Sequence, residues 1–142
     1  MAEFVFKDML ERKGISELFY VASAATSTEE IGNPVHYGTR KILNNLGIST
    51  DGKRAVQMTA KDYSEYDYIV TMDQRNITNI NRFIIKDTKN KVQRLLDYSS
   101  EKRDIADPWY TGDFEQTYED VYDGCEALLQ TICEEHHIQL GA

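Results

Sequence analysis

Tyr68-Ile69-Val70-Thr71-Met72-Asp73 is a run of apolar and β-branched residues closed by an aspartate. It predicts a buried strand that passes directly into a helix capped by Asp73 and running to about Phe83. Just upstream, Thr59 with Asp62 three residues on predicts a short helix to Tyr66, its carboxylate near the positive end of the helix. Further out on the N-terminal side, Phe19-Tyr20-Val21-Ala22 predicts a second short strand. A polar loop from Ser23 to Pro34 and a helix near Thr39 to Leu46, closed by Gly47, follow it. Before these, Met1, Val5 and Met9 with Phe6 and Leu10 set an i, i+4 apolar face that Gly14 terminates. On the C-terminal side, Val92 to Leu96 is a further strand candidate, and Asp113 with Gln116 opens a final long helix. The stripe of that helix, Phe114, Tyr118, Val121, Tyr122, Cys125, Leu128, Leu129, Ile132 and Cys133, keeps a helical period and is expected to lie against the sheet. Short strands alternating with helices specify an α/β class.

The chain is 142 residues long, suited to one domain with one hydrophobic core. Its 24 acidic residues exceed 16 basic ones, a formal charge of −8 whose field repels phosphodiester backbones and anionic lipid headgroups. Nucleic acid and membrane are therefore not expected as partners. No apolar run approaches the roughly 20 residues that span a bilayer, and Met1-Ala2-Glu3-Phe4 has no signal-peptide character, so the expected location is cytoplasmic.

Cys125 and Cys133 lie eight residues apart on one predicted helix. Their Cα atoms should then be about 12 Å apart, beyond the roughly 7 Å that a disulfide tolerates. They read as small buried hydrophobes. His136 and His137 follow Glu134 and Glu135, but adjacent helical residues point about 100° apart and do not share an ion easily. They read as a solvated helix end, and His36 as a surface or packing residue. Lys86, Lys89, Lys91, Arg94, Lys102 and Arg103 are interleaved with acids, as on a solvated face. No metal and no cofactor is expected.

In Asp107-Pro108-Trp109-Tyr110 an acid precedes a proline, which extends the backbone at the aspartate, and two aromatics follow. The spacing suits an active-site lip as well as a surface turn.

With that motif the chain resembles the low-molecular-weight protein tyrosine phosphatases. The resemblance rests on Met1-Ala2-Glu3-Phe4, similar to the segment after that family's phosphate-binding loop, and on Ser23-Ala24-Ala25-Thr26-Ser27 with Ile31-Gly32-Asn33-Pro34. It also rests on Tyr66 to Asp73 and on Asp107-Pro108-Trp109-Tyr110. It implies a single domain, 1–142, with a three-layer αβα fold on a parallel sheet, four-stranded in the family with its first strand central. It implies hydrolysis of phosphotyrosine monoesters through a cysteinyl-phosphate, with Asp107 as general acid and Trp109 and Tyr110 as walls of the phenyl slot. Ser23 would organise the phosphate loop, and Asp73 stays a helix cap outside the site. The implied substrate is a phosphotyrosine protein or a small aryl phosphate.

The departures are specific. The family's Cys-x₅-Arg loop stands immediately before the Met-Ala-Glu segment, and no Cys-x₅-Arg occurs in this sequence: the sixth residue after Cys125 is Thr131 and after Cys133 is Gln139. The expectation is a domain N-terminally truncated relative to the family, inactive as it stands, with exposed sheet edges that favour a homo-oligomer. Glu29 stands where many members carry Trp, and His36-Tyr37-Gly38-Thr39 differs from the family's common Asp-Pro-Arg-Ala. Two alternatives are a non-catalytic oligomerising or binding module on this fold and an arsenate reductase-like protein. The acid motif speaks against the latter.

Overall fold

A computed structural model describes residues 1–26, 32–82, 87 and 90–139, with Trp109 described in its backbone only. The first helix, α1 (Ala2–Arg12), buries Val5, Phe6, Met9 and Leu10 together with Glu3. It ends at Gly14, whose φ of 71° lets its own N–H reach Glu11 O and the Ile15 N–H reach Leu10 O, both at 3.0 Å. After a 3₁₀ turn at Ser16–Leu18 come α2 (Tyr37–Asn45) and α3 (Ala60–Glu65), the latter opened by the expected Thr59/Asp62 capping box. β1 (Ile69–Thr71) leads into α4 (Gln74–Ile80), where Asp73 accepts from the Asn76 N–H at 2.8 Å. Helix α4 stops short of the predicted end, and Phe83 lies outside the described residues. β2 (Val92–Arg94), a 3₁₀ turn at Leu95–Tyr98, α5 (Pro108–Thr111) and α6 (Phe114–Glu135) complete the order.

β1 and β2 run parallel, pairing Ile69 with Val92, Val70 with Gln93 and Thr71 with Arg94. Ile69 and Val92 pack with Met58, Ile80 and Tyr63, against α3 and α4. On the opposite face Val70 joins the main core, built from α1, α6 and the Leu95–Leu96 turn. The result is a three-layer α/β fold around a small parallel sheet.

Two expectations are corrected. The Phe19–Ala22 segment is not a paired strand: strand pairing among the described residues belongs to 69–71 and 92–94, with isolated bridges at Ala25–Gln57 and Pro34–Arg54. Its composition favours extended backbone, but a strand also needs a neighbour for its N–H and C=O groups. The α6 stripe is covered mainly by the 95–98 turn and by α1 and α2, not by the sheet. Leu95 is fully buried there, and a Cβ on Gly124 would stand 2.5 Å from its Cγ, so the bare glycine lets the turn press onto α6. Tyr122 falls off the stripe, 40% exposed.

Candidate functional site

The main chain leaving β1 carries the acid motif's support. Ile105, fully buried, donates its N–H to Met72 O at 2.9 Å, which places residues 105 onward at the C-terminal edge of the parallel strands. Ligand sites of open α/β sheets lie at that edge. Asp104 accepts from the Gln74 N–H and from Arg94 Nη1, each at 3.0 Å, and Arg94 also grips Asp97. The Ala106 carbonyl accepts from Thr117 Oγ1 at 3.2 Å. Asp107 follows, exposed, its carbonyl accepting from the N–H groups of Tyr110 and Thr111 to close the α5 turn. Tyr110, three residues on, is 76% exposed. The side chain of Trp109 lies outside the described residues. Asp113 then caps α6 by accepting from the Gln116 N–H at 3.0 Å.

A second array centres on Glu3, in the first turn of α1. Glu3 is 8% exposed, and its carboxylate accepts from Ser23 Oγ at 2.6 Å, from Lys53 Nζ at 2.7 Å and from Lys7 Nζ at 2.7 Å. Burial pushes the carboxyl up, but the bonds from Lys53, Lys7 and Ser23 outweigh it and hold Glu3 at about 2. Ser23 thus serves a carboxylate at a helix N-terminus, on a segment that Ala25 ties to the 56–58 backbone. Ser23 and Asp107 belong to separate arrays, one fixed to α1 and the other to β1 and α6.

The remaining candidates are structural. Cys125 and Cys133 are free and buried; burial pushes the Cys125 thiol up to about 12 and raises Cys133 as well, the reverse of what a thiolate nucleophile needs. His36 caps α2, its Nδ1 accepting from the Gly38 N–H at 3.1 Å, and stacks on Phe114 at 5.0 Å. His136 and His137 are exposed, with His136 Nε2 3.0 Å from the Tyr68 hydroxyl, itself bonded to Glu135. Among the described residues no group of three His, Cys, Asp or Glu could hold a metal ion, and no helix is long and apolar enough to cross a membrane. Glu29, Ser27, Ile31, Lys86 and Lys89 lie outside the described residues.

Sequence reasoning missed Glu3, Lys53, Arg103 and Asp120. A glutamate on the buried side of an apolar helix was the visible signal for the first. The ion pairs of the others, Lys53 with Glu3 and Arg103 with Asp120, form only through tertiary contact.

The model of the family described as low molecular weight phosphotyrosine protein phosphatase matches residues 1–138. The low molecular weight protein-tyrosine-phosphatase YfkJ of Bacillus subtilis is 39% identical over 140 residues, covering 97% of this chain and 90% of that protein. PtpA of Staphylococcus aureus is 37% identical over 142 residues, covering 99% and 90%. The crystal structure of YfkJ superposes with a TM-score of 0.90 at 38% identity, over 94% of this chain and 86% of that one. SP-PTP of Streptococcus pyogenes superposes with a TM-score of 0.80 at 36% identity, over 92% and 81%.

Proposed function

The chain belongs to the low molecular weight phosphotyrosine protein phosphatase family, and on that premise we propose that its 105–112 loop is the acid loop of a phosphotyrosine monoester hydrolase. In this reaction a thiolate attacks phosphorus, the phenolic oxygen leaves, and Asp107 gives it a proton; water then releases phosphate from the cysteinyl-phosphate. A positioned acid commonly supplies about 10²–10⁴-fold. Trp109 and Tyr110 grip the phenyl ring, and Ser23, held by Glu3, organises the anion-binding side. The observation that carries this reading is the placement of Asp107 directly after a stretch anchored at the C-terminal edge of β1.

The 142-residue polypeptide has no Cys-x₅-Arg, and its two thiols are buried. It is accordingly inactive by itself. The test is hydrolysis of p-nitrophenyl phosphate by this polypeptide and by one that carries a family-type strand and Cys-x₅-Arg-Ser-Pro loop joined to Met1. The first gives no turnover above a heat-killed control; the second turns over, and Asp107→Ala lowers its kcat by about 10²–10⁴-fold. Turnover by the first, or indifference of the second to Asp107→Ala, refutes the assignment.

The segment 19–22 takes no part in the strand pairing among the described residues, which supports a second, compatible reading, self-association through backbone pairing. Light scattering and thermal melts over a hundredfold dilution test it. A monomer whose melting temperature does not move excludes it.

A further inference from the structure

Arg103 and Asp120 touch no proposed substrate position, yet they hold the stem of the acid loop. Asp120 is 6% exposed on α6, and Arg103 meets it with both prongs of its guanidinium, Nη1 to Oδ2 at 3.1 Å and Nη2 to Oδ1 at 2.9 Å. Gln116 Nε2 adds a bond to Oδ1 at 3.1 Å. A planar guanidinium facing a carboxylate in this way fixes orientation as well as distance, which a lysine cannot reproduce. Arg103 Nη1 also donates to the carbonyl of Asp104 at 3.1 Å, so one side chain couples the loop's main chain to the helix. Asp104, Ile105 and Ala106 are then anchored in turn to Arg94 and α4, to Met72, and to Thr117. Asp107 comes next.

Resting on the phosphatase reading above, we infer that Arg103 and Asp120 are a positioning pair that orients loop 105–112 so that Asp107 can protonate the leaving oxygen. Exposed ion pairs contribute little, but this carboxylate is buried, and without Arg103 the described residues leave it only an amide to offset its charge. The stem must then shift. A displacement of about 1 Å in a catalytic group can cost about 10²-fold. Because a general acid matters most for a basic leaving group, its misplacement steepens the dependence of kcat/KM on leaving-group pKa, which a general loss of stability does not.

The variants are Arg103→Gln, Asp120→Asn and Arg103→Lys, the last keeping the charge without the fork in case the others fold poorly. In the 142-residue chain, amide exchange of 104–112 is expected to quicken by about tenfold in Arg103→Gln while α1 stays protected. Arg103→Lys should be intermediate. In the loop-restored polypeptide, kcat/KM should fall by about 10²-fold for phenyl phosphate and only a few-fold for dinitrophenyl phosphate. Unchanged exchange at 104–112, exchange that rises equally in α1, or an equal loss for every leaving group overturns the inference. If the loop-restored polypeptide with all its residues intact is inactive, the phosphatase reading fails, and exchange at 104–112 alone decides whether the pair holds the loop.

Discussion

Glu3 and Asp120 are both buried carboxylates that tie a loop of the candidate site to a helix, and they are supported in opposite ways. Glu3 stands at a helix N-terminus, where unpaired backbone N–H groups favour an anion, and gathers donors from three stretches of chain: Lys7, Ser23 and Lys53. Asp120 lies in α6 beyond its first turn, and relies on Arg103 with Gln116 of its own helix. A carboxylate with distributed partners tolerates the loss of any one, whereas one with a single cationic partner does not. The price of the first arrangement is that the carboxylate itself becomes the hub.

The largest expected effect therefore comes from Glu3→Ala. Breaking a fully buried pair costs about 3–5 kcal/mol; because Lys7 and Lys53 keep 47% and 25% exposure and can rehydrate, about 2–3 kcal/mol is expected here. Urea unfolding measures it. A loss under about 1 kcal/mol would remove Glu3 from its place as hub.

Acid separates the two carboxylates next. Glu3 moves from 4.5 down to about 2: burial opposes the shift, and the bonds from Lys53, Lys7 and Ser23 drive it. A depressed carboxyl contributes stability that is present above the unfolded value and is lost as pH falls through the folded one. The melting temperature should therefore drop between pH 4.5 and 2, and Glu3→Gln should flatten that limb. Asp120 is held below its ordinary value of 3.8 chiefly by Arg103, so Asp120→Asn acts in the same direction but only below about pH 4. An acid limb that Glu3→Gln leaves intact would show that other carboxylates govern acid unfolding.

What the sequence disclosed follows from how local each signal is. The Thr59/Asp62 box and the Asp73 and Asp113 caps are written within four residues, and all three appear where expected. The run at 19–22 discloses extended backbone, with Phe19 and Val21 turned toward the core and Tyr20 outward, but not a pairing partner. The α6 stripe discloses that a face is buried and not what covers it. Similarly, the Asp-Pro-aromatic order pointed to Asp107, whereas Arg103 and Asp120, 17 residues apart, are paired only by the fold.

Smaller substitutions probe whether Glu3's support is truly shared. Ser23→Ala removes one neutral donor from a charged acceptor and should cost about 1 kcal/mol, because Lys7 and Lys53 still satisfy the carboxylate. A cost approaching that of Glu3→Ala would mean that the serine, and not the pair of lysines, sustains the buried charge.

The smallest effect is expected at Lys7. It lies one turn after Glu3 on α1, in the favourable order with the acid first, and its side chain is 47% exposed. Such i, i+4 pairs contribute about 0.3–0.5 kcal/mol and weaken with salt. Lys53 reaches the same carboxylate from outside the helix and is 25% exposed, so its pair is less screened and also tethers the 48–54 loop. Lys53→Met should thus cost about 1 kcal/mol or more, and keep that cost at 0.5 M salt, where the effect of Lys7→Met vanishes. Urea melts of both variants at low and high salt provide the measurement. Equal costs, or a larger one at Lys7, would place the array's energy within α1 and dissolve the distinction between a hub that joins three stretches and an ordinary helix pair.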